Sequence, residues 1–278
     1  MIGFGGRDES RNVNPAVDRI VSLYWDNIDR RIVEAQRRVF AHFGLAIDQR
    51  ERTGLQHGDF LDAYMAELAE DDVALLVDID CFPLNRAIVE RAFAAAREGR
   101  IFGCAQSSNP VDPDRLFVAP MFMAIARRTW YRLGRPSFRR DARNDVAQAL
   151  HDQAVAAGIE VEMLYPWACV APKWRLGDVA LYGIGTFYRG GVFHLFESRR
   201  KIYAFILFEV ADATIEGRQI DPLALANRAL PLSLCDLWAS AFKRWRKGLW
   251  LRHALRRLRR RATSTNSAAQ DRSTAEPR

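Results

Sequence analysis

Cysteine is scarce in this chain and scattered where it occurs. Cys81, Cys104, Cys169 and Cys235 form no C-x-x-C pair, which argues against a zinc site or a disulfide framework and predicts reduced thiols in a cytosolic setting. Long hydrophobic runs are missing too. No stretch approaches the roughly 18 apolar residues of a membrane span, and the apolar segment 204–208 is far too short. The start, MIGFGGRDESRNVN, lacks the basic opening and apolar core of a secretion signal. The expectation is a cytoplasmic protein, soluble or peripheral at the inner face of a membrane. Acidic residues are absent from 243–261, a segment with ten Lys or Arg, while 262–278 carries two charges of each sign. The remaining residues, 1–242, hold 29 basic against 32 acidic groups. The net charge of +7 therefore belongs to one C-terminal segment, and the body of the chain gives no support for nucleic-acid binding.

What is present is the composition of a soluble globular protein, 49% apolar and 27% charged over 278 residues. That is enough for one substantial domain with extensions. No internal repeat is visible. Residues 1–14 are Gly-rich and polar and are read as disordered. DRIVSLY at 18–24 reads as a strand. Asp29 then stands at an N-cap position before a helix over 30–43, ended by Gly44. A weaker strand at 45–52 and a helix at 57–70 follow. A third helix spans 84–98 up to Gly99, and a strand covers 100–106. The β-α alternation predicts a mostly parallel sheet with right-handed crossovers. Further on, 116–126 reads as strand, 129–134 as helix, 135–144 as a polar Arg-rich loop, 145–157 as helix and 159–166 as strand. The five glycines in 173–191 make that stretch loop-rich. Residues 203–215 fit a helix or a strand equally well.

The chain is organised around Asp71–Leu84, DDVALLVDIDCFPL. Val73–Val77 is a short continuous apolar run of the kind buried on both faces of a sheet. Asp78 and Asp80 stand at its C-terminal end, and Pro83 stops simple continuation of the ladder. Ligands of open α/β sheets bind beyond the carboxyl ends of the strands. Two hard oxygen donors there, one residue apart, suit Mg²⁺ or Mn²⁺. Solvated turn residues are the plainer alternative. Cys81, inside the motif, reads as a small packing residue.

An apolar strand ending in D-x-D near residue 80, within this order of elements, resembles nucleotide-sugar glycosyltransferases of the GT-A type (family 2-like). Two further stretches are similar to such enzymes. One is APMFMAI…TWYRLGRPSF…ND, Ala119 to Asp145, which resembles the acceptor-site region of inverting members. The other is VFHLFESR, whose His194 is similar to the late histidine that completes the metal shell. Where the family often has Glu-Asp, this chain has Asn144-Asp145, which loosens the match. The resemblance covers roughly 18–200. It implies a GT-A-like, Rossmann-like domain over 15–230 and a metal-dependent transfer of sugar from a nucleotide-diphosphate donor to a hydroxyl of a glycan or lipid-linked acceptor, with inversion if Asp145 is the base and retention as the open alternative. Asp80, Asp78 and His194 are the implied metal ligands. Tyr24, Asp26, Asn27 and Asp78 would hold the nucleotide-sugar, and Asp145 would be the general base, with a helix N-cap as its plainer role. Bacterial cell-surface glycan assembly is the implied setting.

The segment 231–261 carries Trp238, Phe242, Trp245 and Leu249 among its basic residues, which suits an anionic membrane surface contacted through 238–261. Residues 262–278 read as a disordered tail. Arg139, Arg140 and Arg143 read as a solvated loop, with phosphate or acidic acceptor binding as the sharper reading. Two other functions compete. A haloacid-dehalogenase-type phosphatase also has paired carboxylates after a strand, but Phe82 stands where Thr or Val is usual, and Lys173 lacks an acidic pair. A membrane-peripheral binding protein with a degenerate sugar-nucleotide fold is the non-enzymatic alternative.

Overall fold

A computed structural model describes residues 17–108, 112–232, 234 and 238. The chain divides into two compact units, Met1–Ala226 and Asn227–Arg278, and the strands and helices that build the site all belong to the first. The expectations for 1–14, for the basic segment 231–261 (Pro231, Leu232, Leu234 and Trp238 apart) and for the tail at 262–278 lie outside the described residues.

The first unit is mixed α/β, with a mostly parallel central sheet flanked by helices, as the sequence predicts. Strand β1 (Asp18–Tyr24) leads to α1 (Arg30–His42), β2 (Asp48–Glu51), α2 (His57–Glu67) and β3 (Val73–Asp78). Then come β4 (Cys81–Pro83), α3 (Arg86–Arg97), β5 (Ile101–Ser108), β6 (Asp112–Ala126) and α4 (Arg127–Arg132). The chain continues through α5 (Gln148–Ala156), β7 (Val161–Leu164), β8 (Pro166–Leu176), β9 (Ala180–Tyr188), β10 (Val192–His194) and α6 (Ala204–Ile215). Local chemistry fixes where the helices start, and for α1 that is where the sequence indicates. The Asp29 carboxylate accepts from Arg31 N at 3.0 Å at the head of α1. Asn85 does the same for Ile88 N at 3.0 Å in α3, so that helix begins two residues later than its apolar pattern suggests.

The central sheet has the order β2-β1-β3-β6-β5-β7. Pairings β1–β2, β1–β3 and β5–β7 are parallel, and only β6 runs against its neighbours β3 and β5. Strand β3 sits in the middle with Val73–Val77 at 0–3% exposure, which accounts for its unbroken apolar sequence. One core layer joins β1, β3 and β6 to Phe60, Leu61, Tyr64 and Met65 of α2 and to Trp130, Phe138 and Leu150.

The second sheet, β4-β10-β9-β8, is antiparallel. It corrects the loop reading of 173–191. Residues 166–188 form a hairpin of two long strands, and 173–188 supplies the end of one and all of the other. The glycines mislead because Gly183 is needed for packing: a Cβ there would lie 2.6 Å from Ala171 O and 2.8 Å from Lys173 N. The undecided 203–215 resolves as a 3₁₀ turn at Lys201–Tyr203 running into α6. Helix α6 packs on α1, where Arg31 lies over the Phe208 ring at 5.2 Å. Asp145 is not the helix cap: α5 begins at Gln148, behind a left-handed Ala147 with φ 69° and no side-chain cap hydrogen bond.

Candidate functional site

Strand β3 delivers Asp78 to the C-terminal edge of the central sheet, and the chain then turns sharply into β4 of the second sheet. The amide of Gln36, fully buried on α1, fixes that turn. Its Nε2 donates to Asp78 O at 2.7 Å and to Cys81 O at 2.8 Å. Antiparallel pairing of β4 with β10 then sets His194 opposite Cys81, and Leu195 N donates to Asp80 O at 2.9 Å. Residues 114 positions apart are thereby brought together. His194 Nε2 lies 3.0 Å from Asp80 Oδ1 and 3.8 Å from Asp78 Oδ2. The donor atoms of Asp78, Asp80 and His194 all lie within 4.8 Å of one another.

This group fits a divalent cation. Adjacent donors around a six-coordinate ion with bonds near 2.1 Å stand about 3 Å apart, the separation seen between His194 and Asp80. A mixed carboxylate and imidazole set favours a transition ion such as Mn²⁺ over the all-oxygen shell that Mg²⁺ prefers. The histidine is held by packing as well as by its contact with Asp80. Its ring lies 3.8 Å, centroid to centroid, from that of Phe196, and its Nδ1 is buried without a hydrogen-bond partner among the described residues.

The electrostatics separate the two carboxylates. Burial pushes the Asp78 carboxyl up, with the nearby His57 and His194 acting in the opposite sense and Asp80 adding to the rise. Burial acts on Asp80 as well, yet the His194 charge and hydrogen bonds from His194 and Ser198 carry its carboxyl below the usual range. Asp80 is the carboxylate held ready as an anion.

A cleft of about 440 Å³ opens over these residues, in the range usual for small-molecule sites. Tyr24, Trp25, Asn27, His57, Asp78, Ile79, Asp80 and Glu197–Arg200 are among its lining residues. Tyr24 is fixed by Arg30, whose Nη1 donates to its hydroxyl at 3.1 Å while Nη2 grips both oxygens of Glu51 at 2.8 and 2.9 Å. Asp26 sits exposed on the turn after β1 and is not a lining residue. Asp145 also lies outside the cleft lining. It stands in the loop before α5, its Oδ1 accepting from Val146 N at 2.9 Å.

Several residues of the site carried no legible signal in the sequence. His57 Nε2 approaches Asp78 Oδ1 at 3.6 Å. The Arg199 guanidinium lies over the Trp25 indole at 4.8 Å, and Glu197 pairs with both Lys173 and Arg200. The run SRR right after VFHLFE is the one hint that this part of the lining is polar. Phe196 and Glu197 both take positive φ, 56° and 48°, so the strand turns abruptly just beyond His194. Helix α2 links the cleft to the Arg-rich loop. Asp62 accepts from Phe138 N at 2.8 Å and Ser137 Oγ at 2.7 Å, and Arg139 pairs with Asp59. A Cβ on Gly58 would lie 2.6 Å from Arg139 Cα.

No protein-family model and no curated protein matches the chain. Among solved structures it is similar to the catalytic domain of Drosophila β1,4-galactosyltransferase 7 in complex with xylobiose. That match has 11% identity and a TM-score of 0.37, and covers 52% of this chain and 63% of that one. A mutant of the same Drosophila enzyme, in complex with manganese, UDP-Gal and xylobiose, matches at 12% identity and a TM-score of 0.37, over 52% of this chain and 64% of that one. The chain thus covers less than two thirds of the length of either.

Proposed function

We propose that the chain is a metal-dependent glycosyltransferase of GT-A type that uses a nucleotide-diphosphate sugar. One observation carries the reading: Asp78 and Asp80 line a cleft at the carboxyl edge of the sheet, and the buried His194 brings its donor atom within 4.8 Å of theirs. Asp80 and His194, with Asp78 through Oδ2, would hold a Mn²⁺ or Mg²⁺ ion, which supplies charge neutralisation for a departing diphosphate. Tyr24 and Asn27 offer a surface for the nucleoside. Trp25 adds an aromatic ring with the Arg199 guanidinium over it, and Arg199 and Arg200 bring positive charge to the lining for the phosphates. Asp26, exposed on the turn, is left to ribose or solvent contacts.

On this reading Asp145 is the general base. It takes the proton of an acceptor hydroxyl as that oxygen bonds to the anomeric carbon. The bond from that carbon to the diphosphate oxygen breaks, and the nucleoside diphosphate leaves. Attack opposite the leaving group inverts the anomeric centre. The acceptor is a glycan or lipid-linked hydroxyl. For 238–261 the proposal of an anionic membrane surface rests on its composition alone, basic residues with interspersed Trp and Leu.

The test of the transferase reading is calorimetric titration of UDP and GDP with and without Mn²⁺, on wild type and Asp80→Ala. Metal-dependent binding lost in the variant is the expected result. Absence of binding by UDP, GDP, CDP and dTDP alike would overturn it.

A further inference from the structure

We infer that Gln148 is the residue that positions Asp145, an assignment resting on the base reading above. Gln148 opens α5 and is fully buried. Its Oε1 accepts two hydrogen bonds, from Ser108 Oγ at 2.7 Å and from Asp145 N at 2.9 Å. Its own backbone N donates to Asp145 O at 3.1 Å. One residue thus grips both polar groups of the Asp145 backbone. Ser108 is equally buried and ends β5. Strands β5 and β3 both run antiparallel to β6, so Ser108 stands at the same edge of the sheet as Asp78. The Gln148 amide therefore ties Asp145 to the edge that carries the metal group.

Two features of this joint disfavour folding. Gln148 Nε2 is buried with no hydrogen-bond partner among the described residues, and a buried unpaired donor costs its full desolvation. The buried Ala147 sits at φ 69°, a conformation that suits glycine and strains alanine. Packing alone does not select an amide here. Leucine or methionine would occupy similar volume without an orphaned donor. What the amide adds is one acceptor oxygen reaching two donors. Strain and an unsatisfied polar group held together beside a carboxylate point to a loop shaped for its task. Asp145 Oδ1 is occupied by Val146 N, so the loop fixes the carboxylate as well as the backbone.

The experiment compares Gln148→Met, Ser108→Ala and Asp145→Asn with wild type. Readouts are Mn²⁺-supported hydrolysis of UDP-galactose, UDP-glucose and GDP-mannose, with water as acceptor, together with UDP and GDP affinity and hydrogen exchange over 141–146. In Gln148→Met the kcat should fall about 10- to 100-fold, the scale of a displaced catalytic group. Donor KM and nucleotide affinity should stay within about twofold, and exchange should rise across 141–146. Ser108→Ala, which leaves the Gln148–Asp145 bond in place, should give a smaller loss in the same direction. Wild-type kcat and exchange in Gln148→Met, with Asp145→Asn inactive, would overturn the positioning role alone. Full hydrolysis by Asp145→Asn with nucleotide binding intact would instead remove the base, and this assignment with it.

Discussion

Asp72 shows what one buried carboxylate does for this fold. Its side chain is only 2% exposed, and it ties the start of β3 to two other segments. Oδ2 accepts from Arg19 Nε at 2.7 Å and Ala69 N at 3.1 Å, and Oδ1 from Val17 N at 3.2 Å. Burial raises its pKa, but these hydrogen bonds and the Arg19 charge outweigh burial and hold it below the ordinary aspartate value. A carboxylate depressed on folding stabilises the native state above its unfolded pKa. That contribution is lost as pH falls through the folded value. Asp72→Asn should therefore cost about 1–2 kcal/mol at pH 7, as expected for hydrogen bonds to a charged group. The gap from wild type should narrow as pH falls through the depressed pKa of the folded carboxyl, below which both proteins carry a neutral side chain at this position. Urea unfolding at neutral pH and at two steps into the acid range measures this, and a gap unchanged with pH would refute it.

At the scale of elements, the first turn of α2 joins the cleft to the loop that carries Asp145. His57 faces Asp78, Gly58 meets the backbone of Phe138 and Arg139, and Asp59 and Asp62 hold Arg139, Ser137 and Phe138. Gly58→Ala must push helix and loop apart, because the clash is with backbone atoms that no rotamer change can move. We expect a loss of about 1–3 kcal/mol, the usual cost of overpacking, with metal and nucleotide affinity retained and transfer slowed. Thermal melts and UDP titration of the variant would show it. Equal loss of nucleotide binding and turnover would mean that the turn supports the whole cleft.

At the scale of the molecule, a ligand that binds only the folded unit must raise its stability. At roughly a hundredfold excess over its dissociation constant the gain is about 2.7 kcal/mol. For a domain of about 200 residues this corresponds to a rise in Tm of roughly 5–11 °C, taking about 2–4 °C per kcal/mol. Mn²⁺ should produce such a rise in wild type, EDTA should reverse it, and Asp80→Ala should show none. Scanning calorimetry decides it: an equal shift in the variant would place the ion elsewhere.

Much of the element order was legible because it depends on local pattern. β3 is an apolar run, α1 follows helical spacing behind Asp29, α3 follows it up to Gly99 although its cap at Asn85 goes unread, and D-x-D falls where β3 ends. The convergence of His194 on Asp80 was reached through resemblance, since its cause is the β4–β10 pairing between distant segments. The hairpin at 166–188 was misread because Gly183, which looks like a loop residue, is there to let two strands approach. His57, Gln36 and Gln148 gave no signal, since a polar residue on a helix looks the same whether it meets water or a distant carbonyl. Sequence alone determined the strand that carries the acids and the place of the basic charge, both of which are properties of neighbouring residues. The tertiary structure alone decided which side chains share the site, because closing loops of up to 114 residues between Asp80 and His194 depends on the packing of whole sheets.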